Sequence, residues 1–172
     1  MKILSKQRNS RMCMICGLDN EYGVNAPFYN MEDGSVMTVF RYKEQHQSYP
    51  GRVHGGMITA MLDEMGLRSL WAKELSEETF GVTISLDTKY RKPVPYETEL
   101  IGRGIVVKNT SHFIITDSYI MDKAGEVLAN GRIKYIKMDT QKIQEGVEVH
   151  EEMPYLVEDG RTEIEGPFFD NL

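Results

Sequence analysis

Residues 55–75 hold the feature that most limits how this chain can fold, a long run of good helix formers that is apolar over most of its circumference. With Thr59 set at zero and about 100° per residue, Ala60, Met57, Met61, Ile58 and Leu62 are spread around the cylinder. A helix that is apolar all round has to be buried. The rest of the chain offers strands to bury it. Two β-rich runs, 24–31 and 35–42, flank the turn signal Glu32-Asp33-Gly34, and residues 43–53, polar and aromatic around Pro50-Gly51, read as a loop. Four further strand candidates follow the helix: 79–91, 97–108, 112–121 and 127–138. In the first of these, Val82, Ile84 and Leu86 alternate with Thr83, Ser85 and Asp87, the pattern of a strand with one buried face. Pro93 and Pro95 end that ladder, because proline donates no backbone hydrogen bond. The order predicts an α+β fold, an antiparallel sheet wrapped around one long central helix, with a second subunit completing the cover.

The 172 residues suit one compact body with appendages, and charge marks where the appendages begin. Residues 139–172 hold ten acids against Lys142 and Arg161, a net of −8, so residues 1–138 carry +2 of the overall −6. We therefore divide the chain into an N-terminal segment (1–23), a central domain (24–138) and an acidic C-terminal extension (139–172). The extension contains Val147, Val149, Tyr155, Leu156, Val157, Ile164, Phe168 and Phe169, enough apolar side chain to expect part of it to pack on the body. Basic residues are not clustered with aromatics on one element, which gives no support for nucleic acid, and none is expected as a partner. No apolar run reaches the roughly 18 residues of a membrane span, and the basic start is followed by no apolar signal core. Two cysteines make no disulfide framework, so the expected setting is a reducing cytoplasm.

Two features of the central helix carry chemistry. Asp63 falls near 40° on the wheel, beside Leu70, Leu67, Thr59 and Gly66, where an unpaired carboxylate is expensive. It is either a structural residue bonded to Thr59 or to loop backbone, or a carboxylate held in a dry cleft for base or nucleophile work. Glu64 and Arg68, four residues apart, read as an ordinary ion pair on one edge. The second feature is His54-Gly55-Gly56 at the helix start, where unpaired N–H groups could receive a carbonyl oxygen as negative charge develops on it. Gly55 and Asp63 are eight residues apart, roughly 12 Å along one helix, so one carbonyl cannot touch both. Serving one reaction, they must come from two antiparallel chains across a two-fold axis, giving two equal sites.

The stretch His54-Gly55-Gly56-Met57-Ile58-Thr59-Ala60-Met61-Leu62-Asp63-Glu64 resembles the signature of PaaI-type hotdog-fold acyl-CoA thioesterases, in the 4-hydroxybenzoyl-CoA thioesterase-like superfamily. Residues 83–95, closing on Tyr90-Arg91-Lys92-Pro93, resemble the strand that follows in that family, and Tyr49-Pro50-Gly51-Arg52-Val53 fits before the helix. The resemblance spans about residues 13–138. It implies a dimer or dimer of dimers that hydrolyses acyl-CoA thioesters without a cofactor, coenzyme A being part of the substrate. It further implies that Gly55 N–H polarises the thioester carbonyl, with Gly56 beside it, and that His54 sits by the sulfur or shapes the oxyanion site. Asp63 of the neighbouring subunit would be nucleophile or general base, and Thr83 would help hold the water. His46, Gln47 and Ser48 are candidates for the polar side chain before the helix, and Arg91 and Lys92 for contacts to phosphate or pantetheine. The alternatives are a non-catalytic acyl-CoA or acyl-carrier binding protein and a hotdog hydratase or dehydratase.

Cys13-Met14-Ile15-Cys16-Gly17 has the spacing of a metal knuckle, yet no second cysteine pair exists and the histidines are scattered at 46, 54, 112 and 150. No metal is expected, and the segment reads as a small apolar turn packed on the sheet.

Overall fold

The computed structural model describes residues 1–74, 77, 79–138 and 151–167. Its elements are β1 (Ile3–Lys6), β2 (Tyr29–Met31), β3 (Val36–Phe40), a 3₁₀ turn (Glu44–His46), β4 (Gln47–Tyr49), β5 (Arg52–Val53), α1 (Gly55–Glu74), β6 (Phe80–Tyr90), β7 (Leu100–Asn109), β8 (Phe113–Met121) and β9 (Val127–Met138). Seven strands form one antiparallel sheet in the order β1-β2-β3-β7-β8-β9-β6, and β4 and β5 make a separate two-stranded ribbon. The expected sheet wrapped on one helix is present. Its first strand is shorter than the sequence suggests, because Val24 and Ala26 donate to Met14 and Ile15 of the N-terminal loop instead of joining the ladder.

Helix α1 lies against the inner face of the sheet. Ile58, Met61, Leu62 and Met65 are buried there with Val36, Phe40, Leu100 and Ile120; truncating one such side chain to alanine costs about 2–5 kcal/mol. The approach is close enough to demand glycine on β7. A Cβ at Gly104 would lie 2.6 Å from the Met65 carbonyl oxygen.

Residues 43–53, read as a loop, hold the 3₁₀ turn and the β4–β5 ribbon instead, because Gln47 and Tyr49 pair with Val53 and Arg52 across the Pro50-Gly51 turn. Three further sequence readings change. The alternation on β6 runs the other way: Val82 and Ile84 are 41% and 49% exposed, while Thr83 lies on the helix side, in register with buried Tyr135. A bulge between Thr83 and Ser85 then shifts the phase, so that Leu86 turns inward against the buried cluster of Ile133 and Leu70. Secondly, Arg68 is not on a surface edge. It is 1% exposed, stacked on Phe28 and Trp71, and donates to Glu64 Oε1 (2.7 Å), Gln7 Oε1 and the Arg8 carbonyl. Spacing on the helix could not show this, because the N-terminal residues cover that side.

Thirdly, β1, unread in the sequence, extends the sheet. Residues of the acidic extension cross the outer face beside it: Ile164 is buried with Ile3, Met31, Met37 and Ile101, and Lys6 Nζ reaches Asp159 at 2.6 Å. Val147, Val149, His150, Phe168 and Phe169 lie outside the described residues. Among the described residues, no helix is long and apolar enough to cross a membrane.

Candidate active site

The short ribbon strand β5 delivers His54 to the start of α1. His54 N–H donates to the His46 carbonyl, and the His54 carbonyl accepts from Met57 and Ile58 N–H. The ring caps the helix itself, Nδ1 accepting Gly56 N–H at 2.9 Å. Gly55 N–H is left with no acceptor among the described residues, in a first turn that carries no acid to offset the helix dipole. Tyr90, at the end of β6, stands over this turn. Its hydroxyl donates to the Gly55 carbonyl (3.1 Å) and pairs with Thr59 Oγ1 (2.6 Å), and a Cβ on residue 55 would sit 3.4 Å from it. Beside Gly55 opens a cleft of about 370 Å³ walled by Arg52, Ile58, Tyr90, Arg91 and Lys92 among others. Three cations thus border the helix N-terminus, with Arg91 Nε held by Asn130 at 2.6 Å and Lys92 paired with Glu126.

Asp63 lies further along α1, half-buried, with Thr83 donating to Oδ1 at 2.8 Å. Neither Thr59 nor loop backbone holds it, since the Thr59 hydroxyl faces Tyr90 and Thr88. Tyr135 reaches across from β9 to donate to the Asp63 carbonyl (2.7 Å) and fixes that turn of the helix. No cation pairs with the carboxylate among the described residues. Burial pushes its pKa above the ordinary range, and the Thr83 bond offsets part of that rise. A carboxylate with hydroxyl partners and no ion pair is available to accept a proton or attack a carbon.

Gly55, Gly56 and His54 cluster at one end of α1 with Arg91 and Lys92 close by, while Asp63 and Thr83 form a second group roughly 12 Å along the helix. One chain does not unite them. His46 is buried with both ring nitrogens committed, Nδ1 accepting Lys43 N–H and Nε2 bonded to the Tyr22 carbonyl; Gln47 and Ser48 are exposed on β4. Sequence reasoning gave no role to Arg52, Tyr90 or Tyr135. The Tyr-x-x-Pro pattern that ends on Pro93 was a usable signal for Tyr90. Nothing local marks Tyr135, whose partner is 72 residues away.

Comparison with known proteins shows what this geometry is similar to. Residues 50–129, from the ribbon through most of the sheet, match the sequence model of the thioesterase superfamily. The acyl-coenzyme A thioesterase 13 of Homo sapiens and that of Pongo abelii are each 24% identical over 100 residues, 58% of this chain and 70% of theirs. The crystal structure of a thioesterase superfamily protein superposes with a TM-score of 0.65 at 26% identity, over 73% of this chain and 63% of its own; the present chain thus spans less than two thirds of that protein. A hypothetical thioesterase from Streptococcus pneumoniae, crystallised with coenzyme A, gives 0.57 at 20% identity, over 67% of this chain and 87% of its own. The sheet order, the enclosed helix and these matches agree: the chain has the hotdog fold, and over residues 50–129 it is similar to the thioesterase superfamily.

Proposed function

We propose that this protein hydrolyses acyl-CoA thioesters to the free acid and coenzyme A at two equal sites of a homodimer, or of a tetramer built from it. The observation that carries the reading is the pair of unspent groups on α1, the Gly55 N–H at its start and the ion-pair-free carboxylate of Asp63. Antiparallel packing of two such helices would bring each Asp63 to the partner's helix start. The β6 edge suits that pairing, because β6 bonds to β9 on one side and exposes Val82 and Ile84.

In this reading the thioester carbonyl lies on Gly55 N–H, with Gly56 leaving room for it, and His54 fixes the geometry of the turn by capping it. Asp63 from the other chain takes a proton from water as that water attacks, or attacks the carbonyl carbon directly. Negative charge develops on the oxygen facing the helix N-terminus, where the dipole stabilises it. The leaving group is a thiol of pKa near 8.5, so its departure needs no strong acid. Thr83 holds Asp63, and through it the water. Arg52, Arg91 and Lys92 line the approach and suit the phosphates of coenzyme A, the molecule seen with the Streptococcus relative. Gln47, exposed on β4, is the polar side chain we assign to the acyl end; His46 keeps the loop beneath it. No cofactor takes part, and the reading places the enzyme in the cytoplasm.

Thiol release from acyl-CoAs of varied length and aromaticity tests the activity, expected for the parent and lost in Asp63→Asn. Binding of acyl-CoA without thiol release would return the protein to the non-catalytic alternative, and hydration of an enoyl-CoA without thiol release to the hydratase one. Single turnover in ¹⁸O-water tests the nucleophilic role of Asp63: label in the enzyme's carboxylate requires a mixed anhydride opened by water at the Asp63 carbon, whereas a general base never acquires label.

A further inference from the structure

On the side of α1 away from β6, the N-terminal loop turns both cysteines toward the helix. Cys13 N–H donates to Ser10 Oγ (3.1 Å), and Gly17 N–H returns to the Cys13 carbonyl (2.9 Å). A Cβ at Gly17 would lie 2.5 Å from Cys13 N and O, so this return needs glycine. Asn9, fully buried, fixes the far limb by donating to the Cys16 and Ala26 carbonyls at 2.7 and 2.9 Å. The turn so held aims two backbone donors at one sulfur, with Ile15 N–H at 3.3 Å and Cys16 N–H at 3.5 Å from Cys13 Sγ. Amide donors on sulfur stabilise its anionic form. The third group comes from the helix. Glu64 Oε2 lies 3.9 Å from Cys13 Sγ while its other oxygen is held by Arg68, and the two sulfurs and a carboxylate oxygen all fall within 4.8 Å of one another.

We infer that Cys13, Cys16 and Glu64 form a zinc site, with water as the fourth ligand. Zinc binds thiolate at about 2.3 Å and carboxylate at about 2.0–2.2 Å, so donors around a tetrahedral ion stand roughly 3.3–3.8 Å apart. The 3.9 Å from Cys13 Sγ to Glu64 Oε2 is close to that spacing, and the other pairs, all within 4.8 Å, have at most about 1.5 Å to close. The charges also balance. Two thiolates and a carboxylate beside the buried Arg68 guanidinium leave a net −2, which a divalent cation neutralises. A dithiol built for oxidation would gain nothing from an acid facing its nucleophilic sulfur, because like charge disfavours the thiolate. Thiolate donors select zinc over magnesium or calcium. The expectation that the knuckle holds no metal rested on the lack of a second cysteine pair; its third donor stands 51 residues along the chain, on another element.

The test uses the full-length protein, stripped with chelator under reducing conditions and titrated with zinc chloride against a chromophoric zinc indicator. One equivalent per chain is expected. Cys13→Ser and Cys16→Ser should each weaken binding more than about 100-fold, and Glu64→Gln by about 10–100-fold. Cobalt(II) should give a near-ultraviolet sulfur-to-metal band that Cys13→Ser removes. The titration of the unmutated chain is decisive even if a cysteine variant misfolds. Less than half an equivalent bound, binding that survives in the double serine variant, or oxidation to an intramolecular disulfide with no zinc uptake would each overturn the site. None of these readouts depends on thioesterase activity.

Discussion

Asp63 and Glu64 are neighbours on one helix, about 100° apart around it, and the fold gives them opposite surroundings. Asp63 faces β6, where its partner is the hydroxyl of Thr83, and no cation pairs with it among the described residues. Glu64 faces the N-terminal segment, ion-paired to a guanidinium that is itself buried, with a cysteine sulfur on its free oxygen. The same functional group thus meets a hydroxyl on one side and a buried guanidinium on the other. Packing decides which, because an uncompensated carboxylate near apolar side chains stores free energy that an ion pair removes.

Exchanging the two carboxylates for amides is the strongest way to break this contrast. Asp63→Asn should lower kcat for acyl-CoA hydrolysis by about 10²–10⁴-fold, the usual worth of a positioned base, with unchanged circular dichroism. A loss under about threefold would remove Asp63 from the chemistry. Glu64→Gln should show itself instead in stability, because Arg68 is left buried without its carboxylate. Allowing for the partial exposure of Glu64, a loss of about 2 kcal/mol, or a Tm lower by about 4–8 °C, is expected in chelator-treated protein. An unchanged Tm there would demote the pair to an ordinary surface bridge.

Thr83→Val sharpens the Asp63 side. It keeps the shape and removes the donor, so activity should fall about tenfold. The Thr83 bond favours the charged carboxylate, so its loss should move the acid limb of the pH–rate profile to higher pH. A limb that stays in place would mean that Thr83 does not tune Asp63. The smallest effect concerns stability against pH. Burial raises the pKa of Asp63 in the folded state, so its contribution to stability is present below the unfolded value, about 3.9, and is lost as pH rises through the folded one. Asp63→Asn should therefore melt at or above the parent at neutral pH, and the gap should close on acidification. A variant that melts lower at pH 7 would make Asp63 a structural residue.

Much of the fold was legible along the chain. The enclosed helix follows from residues 55–75 alone, since no amphipathic packing suits a cylinder apolar on all sides, and the succession of four strands along the chain after it follows from turn residues and prolines, though not the pairing of β6 with β9. His54, Gly55 and Asp63 were readable because a helix start and a costly carboxylate are local features. The face of β6 was not, because one bulged residue reverses an alternation that the letters show unbroken, and that reversal is what puts Thr83 against Asp63.

The sequence by itself determined the central helix and the four strands after it, and marked a helix start and a costly carboxylate, through periodicity, turn residues and the energetics of a single buried charge. The tertiary structure alone decided that Arg68 is interior, that Ile164 of the acidic extension covers the outer sheet beside β1, and that Glu64 joins two cysteines far from it in sequence. Those outcomes depend on which surfaces meet when distant segments pack, and the contacts that settle them are invisible to any rule that reads a few residues at a time.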